Sequence, residues 1–173
     1  MKPTVLIVED TDLCRDALEL ALMSVDGVQL HLAETAEEAL RELQQQRVCA
    51  IITDLHLASR KVSMVNSVMD GFELIAAVRA NPAYVTLPIL VTSGDSDPAT
   101  AARLESLQVN AFFAKPYSPS AIRSKLEQLI LVFGSGSVSG RISGKESYRG
   151  VHASHNSSAH ALPAPPSPER KAD

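Results

Sequence analysis

Five side chains suited to phosphate or metal chemistry follow short apolar runs of the sequence. They are three carboxylates, a hydroxyl and an ammonium: Glu9, Asp10, Asp54, Ser93 and Lys115. Clustered oxygens suit Mg²⁺, which binds through one or two carboxylates and keeps several waters. A carboxylate can also act as a nucleophile toward phosphorus while a metal and a lysine stabilise the charge on the phosphoryl oxygens. Together the five residues form a chemically complete set for phosphoryl transfer.

Each of these residues also has an ordinary structural interpretation. Asp10 could cap a helix, and Lys115 could be a surface charge. Asp54 and Ser93 could belong to turns, which both residue types favour. Against this, an ionised carboxylate at the rim of a core must find water, a cation or hydrogen-bond donors. Taken singly the interpretations are about evenly balanced, but the convergence of the whole set favours a site.

The apolar runs that precede these residues predict the strands of a sheet. Residues 5–8 and 50–52 are uninterrupted and mostly β-branched or leucine, which is typical of strands buried on both faces. Residues 28–32 alternate in polarity as a half-exposed strand does. Residues 87–93 and 111–114 predict a fourth and a fifth strand. Polar residues close the runs at 9–10, 54, 93 and 115, so they would share one edge of a parallel sheet.

Helical patterns separate the predicted strands. They cover residues 12–24, 35–46, 71–80, 98–107 and 118–133, and the first places Leu13, Ala17, Leu20 and Ala21 on one stripe. A capping box at residues 35–38 begins the second helix, and Pro98 begins the fourth. Five strands alternating with five helices predict an α/β fold, a parallel sheet wound with helices on both sides.

Composition limits the remaining possibilities. Residues 134–173 are rich in Gly, Ser and Pro and lack apolar periodicity, which predicts a disordered tail after a domain spanning residues 1–133. A net charge of −4 gives no electrostatic argument for nucleic acid. The two cysteines form no metal or disulfide pattern, and no apolar stretch is long enough to cross a membrane. We therefore expect a cytoplasmic protein that binds neither nucleic acid nor membrane through this chain.

Residues 4–133 resemble the receiver domain of two-component response regulators, the chemotaxis receivers among them. Glu9-Asp10 matches the acidic pair after the first strand, and Asp54 matches the phospho-acceptor. Ser93 matches the hydroxyl residue after the fourth strand and is preferred to Thr92 by its spacing to the neighbouring motifs. Lys115-Pro116 matches the lysine-proline pair after the fifth. The resemblance implies a flavodoxin-like, doubly wound sheet of five parallel strands in the order 2-1-3-4-5 with five helices.

The resemblance also implies roles for individual residues. Asp10, Asp54 and the backbone carbonyl of His56 would ligate Mg²⁺, with Glu9 acting through water. Lys115 and Ser93 would contact the phosphoryl group on Asp54, and Phe112 falls on the aromatic switch position. The Lys115–Pro116 peptide would be cis, which is rare for other bonds.

The implied partners are a histidine kinase or histidine phosphotransfer protein as phosphodonor and a downstream effector protein. Since forty polar residues cannot form a winged helix, the sequence predicts a stand-alone receiver that is not an enzyme beyond phosphorylation and dephosphorylation of its own Asp54. An alternative is a DNA-binding regulator whose output domain is missing from this chain. An aspartyl-phosphate phosphatase is disfavoured because Leu55-His56 follows Asp54 and no Asp-x-Asp signature is formed.

Two stretches depart from the family pattern. Ala58 replaces the usual proline after the acceptor, and the path from Asp54 to Asp70 is longer than in the family. Extra loop length costs little, so a tolerated insertion is one interpretation. The other is that Arg60, Lys61, Met64 and Val65 form a lid or partner contact that sets kinase choice or phosphate lifetime. At Gly94 the family commonly has a larger residue, so we also expect an open position that admits water beside the phosphate.

Overall fold

The computed structural model describes residues 2–57 and 69–134. The five strands are β1 Thr4–Val8, β2 Gln29–Ala33, β3 Val48–Asp54, β4 Ile89–Ser93 and β5 Ala111–Ala114. The five helices are α1 Asp12–Leu22, α2 Ala36–Gln45, α3 Gly71–Ala80, α4 Pro98–Ser106 and α5 Pro119–Gly134. All strands are parallel and lie in the order β2-β1-β3-β4-β5. The predicted fold class and strand order are confirmed.

The register of the central strands brings the predicted site residues to one edge. Val8 pairs with Thr53, so Glu9 follows β1 at the level where Asp54 ends β3. Asp54 in turn pairs with Thr92, and Ser93 pairs with Ala114. Because consecutive parallel strands point the same way, their carboxyl ends form a single rim.

Two apolar clusters cover the two faces of the sheet. Helices α2, α3 and α4 pack on one face through seven buried residues: Ala36, Ala39, Leu43, Leu74, Ile75, Val78 and Leu104. Helices α1 and α5 cover the other face through five: Leu18, Leu22, Ile122, Leu126 and Leu129. Burying one such Leu or Ile side chain contributes about 1.5–3 kcal/mol, so both helix layers hold the sheet in place.

The predicted stripe of α1 is not its buried face. Leu13 and Leu20 are 79% and 74% exposed, whereas Leu18 and Leu22 are buried. The helix carries two apolar stripes, and periodicity alone does not say which of them faces the sheet. The stripe of Leu18, Leu22 and then Val25 lies inward, in the same cluster as side chains of β1.

Arg79 connects the end of α3 to neighbouring segments through side-chain hydrogen bonds. Its guanidinium donates hydrogen bonds to the carbonyl oxygens of Leu87 at 2.8 Å, Gln108 at 3.0 Å, Leu107 at 3.2 Å and Tyr84 at 3.4 Å. Those carbonyls lie before β4 and at the end of α4, where helix ends leave acceptors unpaired. Burial lowers the pKa of Arg79.

The loop that contains Arg60, Lys61, Met64 and Val65 lies outside the described residues, and so does the predicted tail after Gly134, which ends α5. The boundary at residue 133 stays a prediction. Within residues 2–57 and 69–134, no helix is both long and apolar enough to span a membrane.

Candidate functional site

Three carboxylates meet at the rim where β1 and β3 end. Glu9 is fully buried and Asp54 is 7% exposed, while Asp10 is half-buried. One oxygen from each carboxylate can be chosen so that all three lie within 4.8 Å of one another. Like charges this close repel strongly, so the cluster requires positive charge to remain ionised.

Lys115 provides part of that charge. Its Nζ atom donates to Oδ2 of Asp54 at 2.6 Å and to Oε2 of Glu9 at 2.9 Å. Burial acts to lower the pKa of Lys115, but the hydrogen bonds to Asp54 and Glu9 outweigh it and raise that pKa above its usual value. The lysine is therefore held as an ammonium between two carboxylates.

Backbone hydrogen bonding at the end of β5 fixes the position of Lys115. The Lys115 amide donates to the carbonyl of Ser93 at 2.7 Å, which extends the pairing of β4 and β5 by one residue. The Lys115–Pro116 peptide is cis, as the resemblance implied.

The donor set fits a hard divalent cation. One ammonium cannot neutralise three carboxylates, and the ligand atoms that the cluster offers are all oxygens. Oxygen-only sets with one or two carboxylates and room for water are typical of Mg²⁺ sites. Burial raises the pKa of the Glu9 carboxyl, and the charge of Asp54 adds to that effect, although the hydrogen bond from Lys115 opposes it. A bound cation would stabilise the ionised form of Glu9 against these two effects.

Two backbone features position Asp54. The amide of His56 donates to Oδ1 of Asp54 at 3.1 Å, which orients the carboxylate. Gly71, the first residue of α3, approaches so closely that a Cβ there would lie 2.1 Å from the carbonyl oxygen of Asp54. The Gly71 amide also donates to the carbonyl of Leu55 at 3.0 Å. The sequence interpretation missed this contact, and its only signal was the Asp70-Gly71 pair before a helix.

Helix α3 begins at a complete capping box beside the acceptor. Oδ1 of Asp70 accepts from the Glu73 amide at 2.8 Å, and Oε2 of Glu73 accepts from the Asp70 amide at 2.9 Å. This reciprocal pair satisfies two backbone donors and fixes where the helix starts. It therefore holds Gly71 against Asp54.

The loop between β4 and α4 lies at the same edge of the sheet as the carboxylates. Ser93 is fully buried, and its hydroxyl accepts a hydrogen bond from the Asp95 amide at 3.1 Å. Among the described residues, a Cβ built on Gly94 would meet no atom within 4 Å, so this position has open space. That water enters there stays a prediction. Nε2 of His56 lies 3.1 Å from Oδ2 of Asp95, which joins the loops after β3 and β4. The sequence interpretation did not foresee this last contact.

Two aromatic residues flank Lys115 in the sequence: Phe112, which is predicted as the switch residue, and Tyr117, which is not among the predicted residues. Phe112 is on β5 opposite Val91 and is half-buried against the cluster under α3 and α4. Tyr117, two residues after Lys115, is half-buried against the α1 and α5 cluster, and burial raises the pKa of its phenol to about 12. Arg60 and Lys61 fall outside the described part of the chain. The ligand role of the His56 carbonyl stays a prediction.

The sequence of the chain is similar to those of known proteins. Residues 5–127 match the family model of the response regulator receiver domain. A Campylobacter jejuni protein named as a chemotaxis protein CheY homolog is 28% identical over 136 residues, which are 78% of this chain and 95% of that protein. The chain belongs to the response regulator receiver domain family.

Solved structures agree with the fold. The crystal structure of a response regulator receiver protein from Pseudomonas putida is 32% identical with a TM-score of 0.63, covering 74% of this chain and 98% of that one. The chemotaxis response regulator CheY4 of Vibrio cholerae is 26% identical with a TM-score of 0.62, covering 75% of this chain and 99% of that one.

Proposed function

We propose that this protein is a phospho-accepting receiver in a two-component or phosphorelay system, with Asp54 as the acceptor. The observation that carries the proposal is the Lys115 ammonium bound to both Asp54 and Glu9 inside a cluster of three carboxylates. A nucleophilic carboxylate beside a fixed positive charge is the arrangement that phosphoryl transfer requires.

In the proposed reaction, an Asp54 oxygen forms a bond to the phosphorus of a phosphohistidine on a kinase or phosphotransfer protein. The bond between phosphorus and the ring nitrogen breaks, and that nitrogen keeps the electron pair. The product is an acyl phosphate on Asp54. Lys115 then pairs with a phosphoryl oxygen, and the His56 amide keeps the carboxyl group oriented during the transfer.

The residues that would hold Mg²⁺ are Asp10, Asp54 and the carbonyl of His56, with Glu9 acting through a water molecule. When bound, the ion supplies positive charge to the non-bridging phosphoryl oxygens. The protein's own contribution is to hold the carboxylate oxygens in place, since two of the three carboxylates, Glu9 and Asp54, are almost completely buried at strand ends.

The proposed output is a change in a protein-binding surface. Phosphorylation adds a charge of about −1.5 to −2, and the Ser93 hydroxyl would leave the Asp95 amide to contact it. Phe112 would turn inward and shift the surface of α4, β5 and α5 between two states. The downstream effector is then a protein in the cytoplasm, and the chain catalyses no reaction beyond the phosphorylation and dephosphorylation of Asp54.

Phosphotransfer profiling tests the proposal. Purified histidine kinases carrying a radioactive phosphoryl group are mixed with the protein in Mg²⁺, and label on the wild type is compared with label on Asp54→Asn. We expect label on the wild type and none on the variant. Asp26→Asn, which changes an exposed carboxylate in the turn before β2, is the matched control and should keep its label. Equal labelling of the wild type and Asp54→Asn would contradict the assignment.

A further inference from the structure

Thr92 occupies an unusual place in the sheet. It lies on β4, is fully buried, and pairs in register with Asp54 on one side and Phe113 on the other. Register partners in a parallel sheet lie on the same face. The pair two residues earlier, Ile52 and Leu90, is buried in the cluster under α1 and α5. The Thr92 side chain therefore lies on the same face as the acceptor carboxylate.

The Lys115 side chain must cross this position. Lys115 follows β5 two residues after Phe113, yet its ammonium reaches Asp54 on β3 and Glu9 after β1. Strand β4 lies between β5 and β3 in the sheet. Thr92 is the β4 residue in register with Asp54, and it lies on the face of the sheet that the Lys115 side chain crosses.

The Thr92 hydroxyl has no hydrogen-bond partner among the described residues. Within residues 2–57 and 69–134, every other buried side-chain oxygen or nitrogen has a hydrogen-bond partner. Leaving a buried hydroxyl unpaired is costly, and valine has the same shape without that cost. Thr53, the residue before Asp54 on β3, is buried as well, but its hydroxyl donates to the Asp54 carbonyl at 2.8 Å. Packing alone therefore does not explain a threonine at position 92.

We propose that Thr92 is a positioning residue for the phosphorylated state, whose hydroxyl donates to the Asp54 acyl group once the phosphoryl group is attached. This inference rests on the proposed function. In the free protein the ammonium of Lys115 occupies Oδ2 of Asp54. Once the other Asp54 oxygen carries the phosphoryl group, the ammonium is drawn to the phosphate, and the acyl oxygen that it leaves is free to accept from Thr92. The unpaired hydroxyl thus raises the free energy of the unphosphorylated state and favours phosphorylation.

The test uses beryllofluoride with Mg²⁺, a stable analogue of a phosphoryl group on a carboxylate. Its dissociation constant is measured by calorimetry for the wild type, Thr92→Val and Thr92→Ser, and each protein is also melted without beryllofluoride. We expect Thr92→Val to melt about 2–5 °C higher than the wild type and to bind beryllofluoride about 10-fold more weakly. Thr92→Ser, which keeps the hydroxyl, should bind within about twofold of the wild type.

Thr4→Val is the matched control. Thr4 is 1% exposed at the opposite end of the sheet, and its hydroxyl donates to Oε1 of Gln46 at 3.0 Å. This variant should melt lower than the wild type and bind beryllofluoride equally well. If Thr92→Val binds beryllofluoride as tightly as the wild type, the inference is overturned while the proposed function stands. Failure of the wild type itself to bind beryllofluoride overturns both.

Discussion

Replacing Gly71 with alanine tests how strictly the fold holds the backbone of Asp54. A Cβ at position 71 would lie 2.1 Å from the Asp54 carbonyl oxygen and 2.6 Å from the Leu55 Cα, whereas ordinary contact begins at 3.4 Å. The start of α3 and the end of β3 must therefore separate by about 1.3 Å, because the nearest described atoms belong to the backbone and not to a flexible side chain.

The magnitude follows from two general costs. Overpacking a filled site costs about 1–3 kcal/mol, and a clash between two backbones belongs at the upper end, so we expect a loss of about 3 kcal/mol in unfolding free energy. A displacement of about 1 Å at a reacting group can slow chemistry about 100-fold. Gly71→Ala should therefore be phosphorylated about 100-fold more slowly than the wild type.

Two measurements separate the effects. Urea unfolding gives the stability, and the rate of phosphorylation is followed under conditions in which each variant remains folded. Val78→Ala, which opens a cavity in the buried face of the same helix, is the control for lost stability alone and should keep the wild-type rate. Gly94→Ala, at a position with open space, should keep the wild-type stability. Phosphorylation of Gly71→Ala within about twofold of the wild-type rate would refute the reasoning.

Three further predictions concern other parts of the chain. Gly94→Val should slow the loss of phosphate from Asp54 several-fold, because a side chain in the open space beside Ser93 excludes water; the decay of labelled protein measures it. The phenol of Tyr117 should ionise near pH 12, as seen in an ultraviolet titration against Tyr117→Phe. Since this folded-state pKa exceeds the unfolded value of about 10, the stability that it contributes is present below pH 10 and is lost between about pH 10 and 12. Arg79→Met should lower the unfolding free energy by about 3 kcal/mol, because it leaves several carbonyls unpaired; urea unfolding measures it.

Clear outcomes would contradict each of the three. Unchanged phosphate decay in Gly94→Val would show that water does not enter through this position. A Tyr117 titration centred near pH 10 would mean that its phenol is exposed to solvent. A wild-type unfolding midpoint for Arg79→Met would mean that the four carbonyls find other donors.

The sequence predicts the elements of this fold well because its strongest signals are local. Uninterrupted apolar runs mark β1 and β3, which are buried on both faces, and polar residues mark the strand ends. Asp10 and Asp54 are found in this way because a parallel topology gathers strand ends at one rim. The buried stripe of α1 was predicted wrongly, since Leu13 and Leu20 have the same spacing as the residues that do pack.

Contacts between distant segments are harder to predict. The close approach of Gly71 to Asp54 depends on how α3 enters after a loop whose length departs from the family. The unpaired hydroxyl of Thr92 becomes visible only when the register places it under the path of Lys115. Such features depend on tertiary geometry, which residue types and spacing do not specify.

Direct mapping of the phosphorylated residue tests the central claim. The protein is phosphorylated in Mg²⁺ by a phosphorylated histidine kinase, reduced with borohydride to convert an acyl phosphate into a stable alcohol, digested, and sequenced by tandem mass spectrometry. The account predicts that the reduced residue is Asp54 and that its yield falls sharply in Asp10→Asn or when Mg²⁺ is chelated. Reduction at Asp10 or at another carboxylate, with Asp54 unmodified, would contradict it.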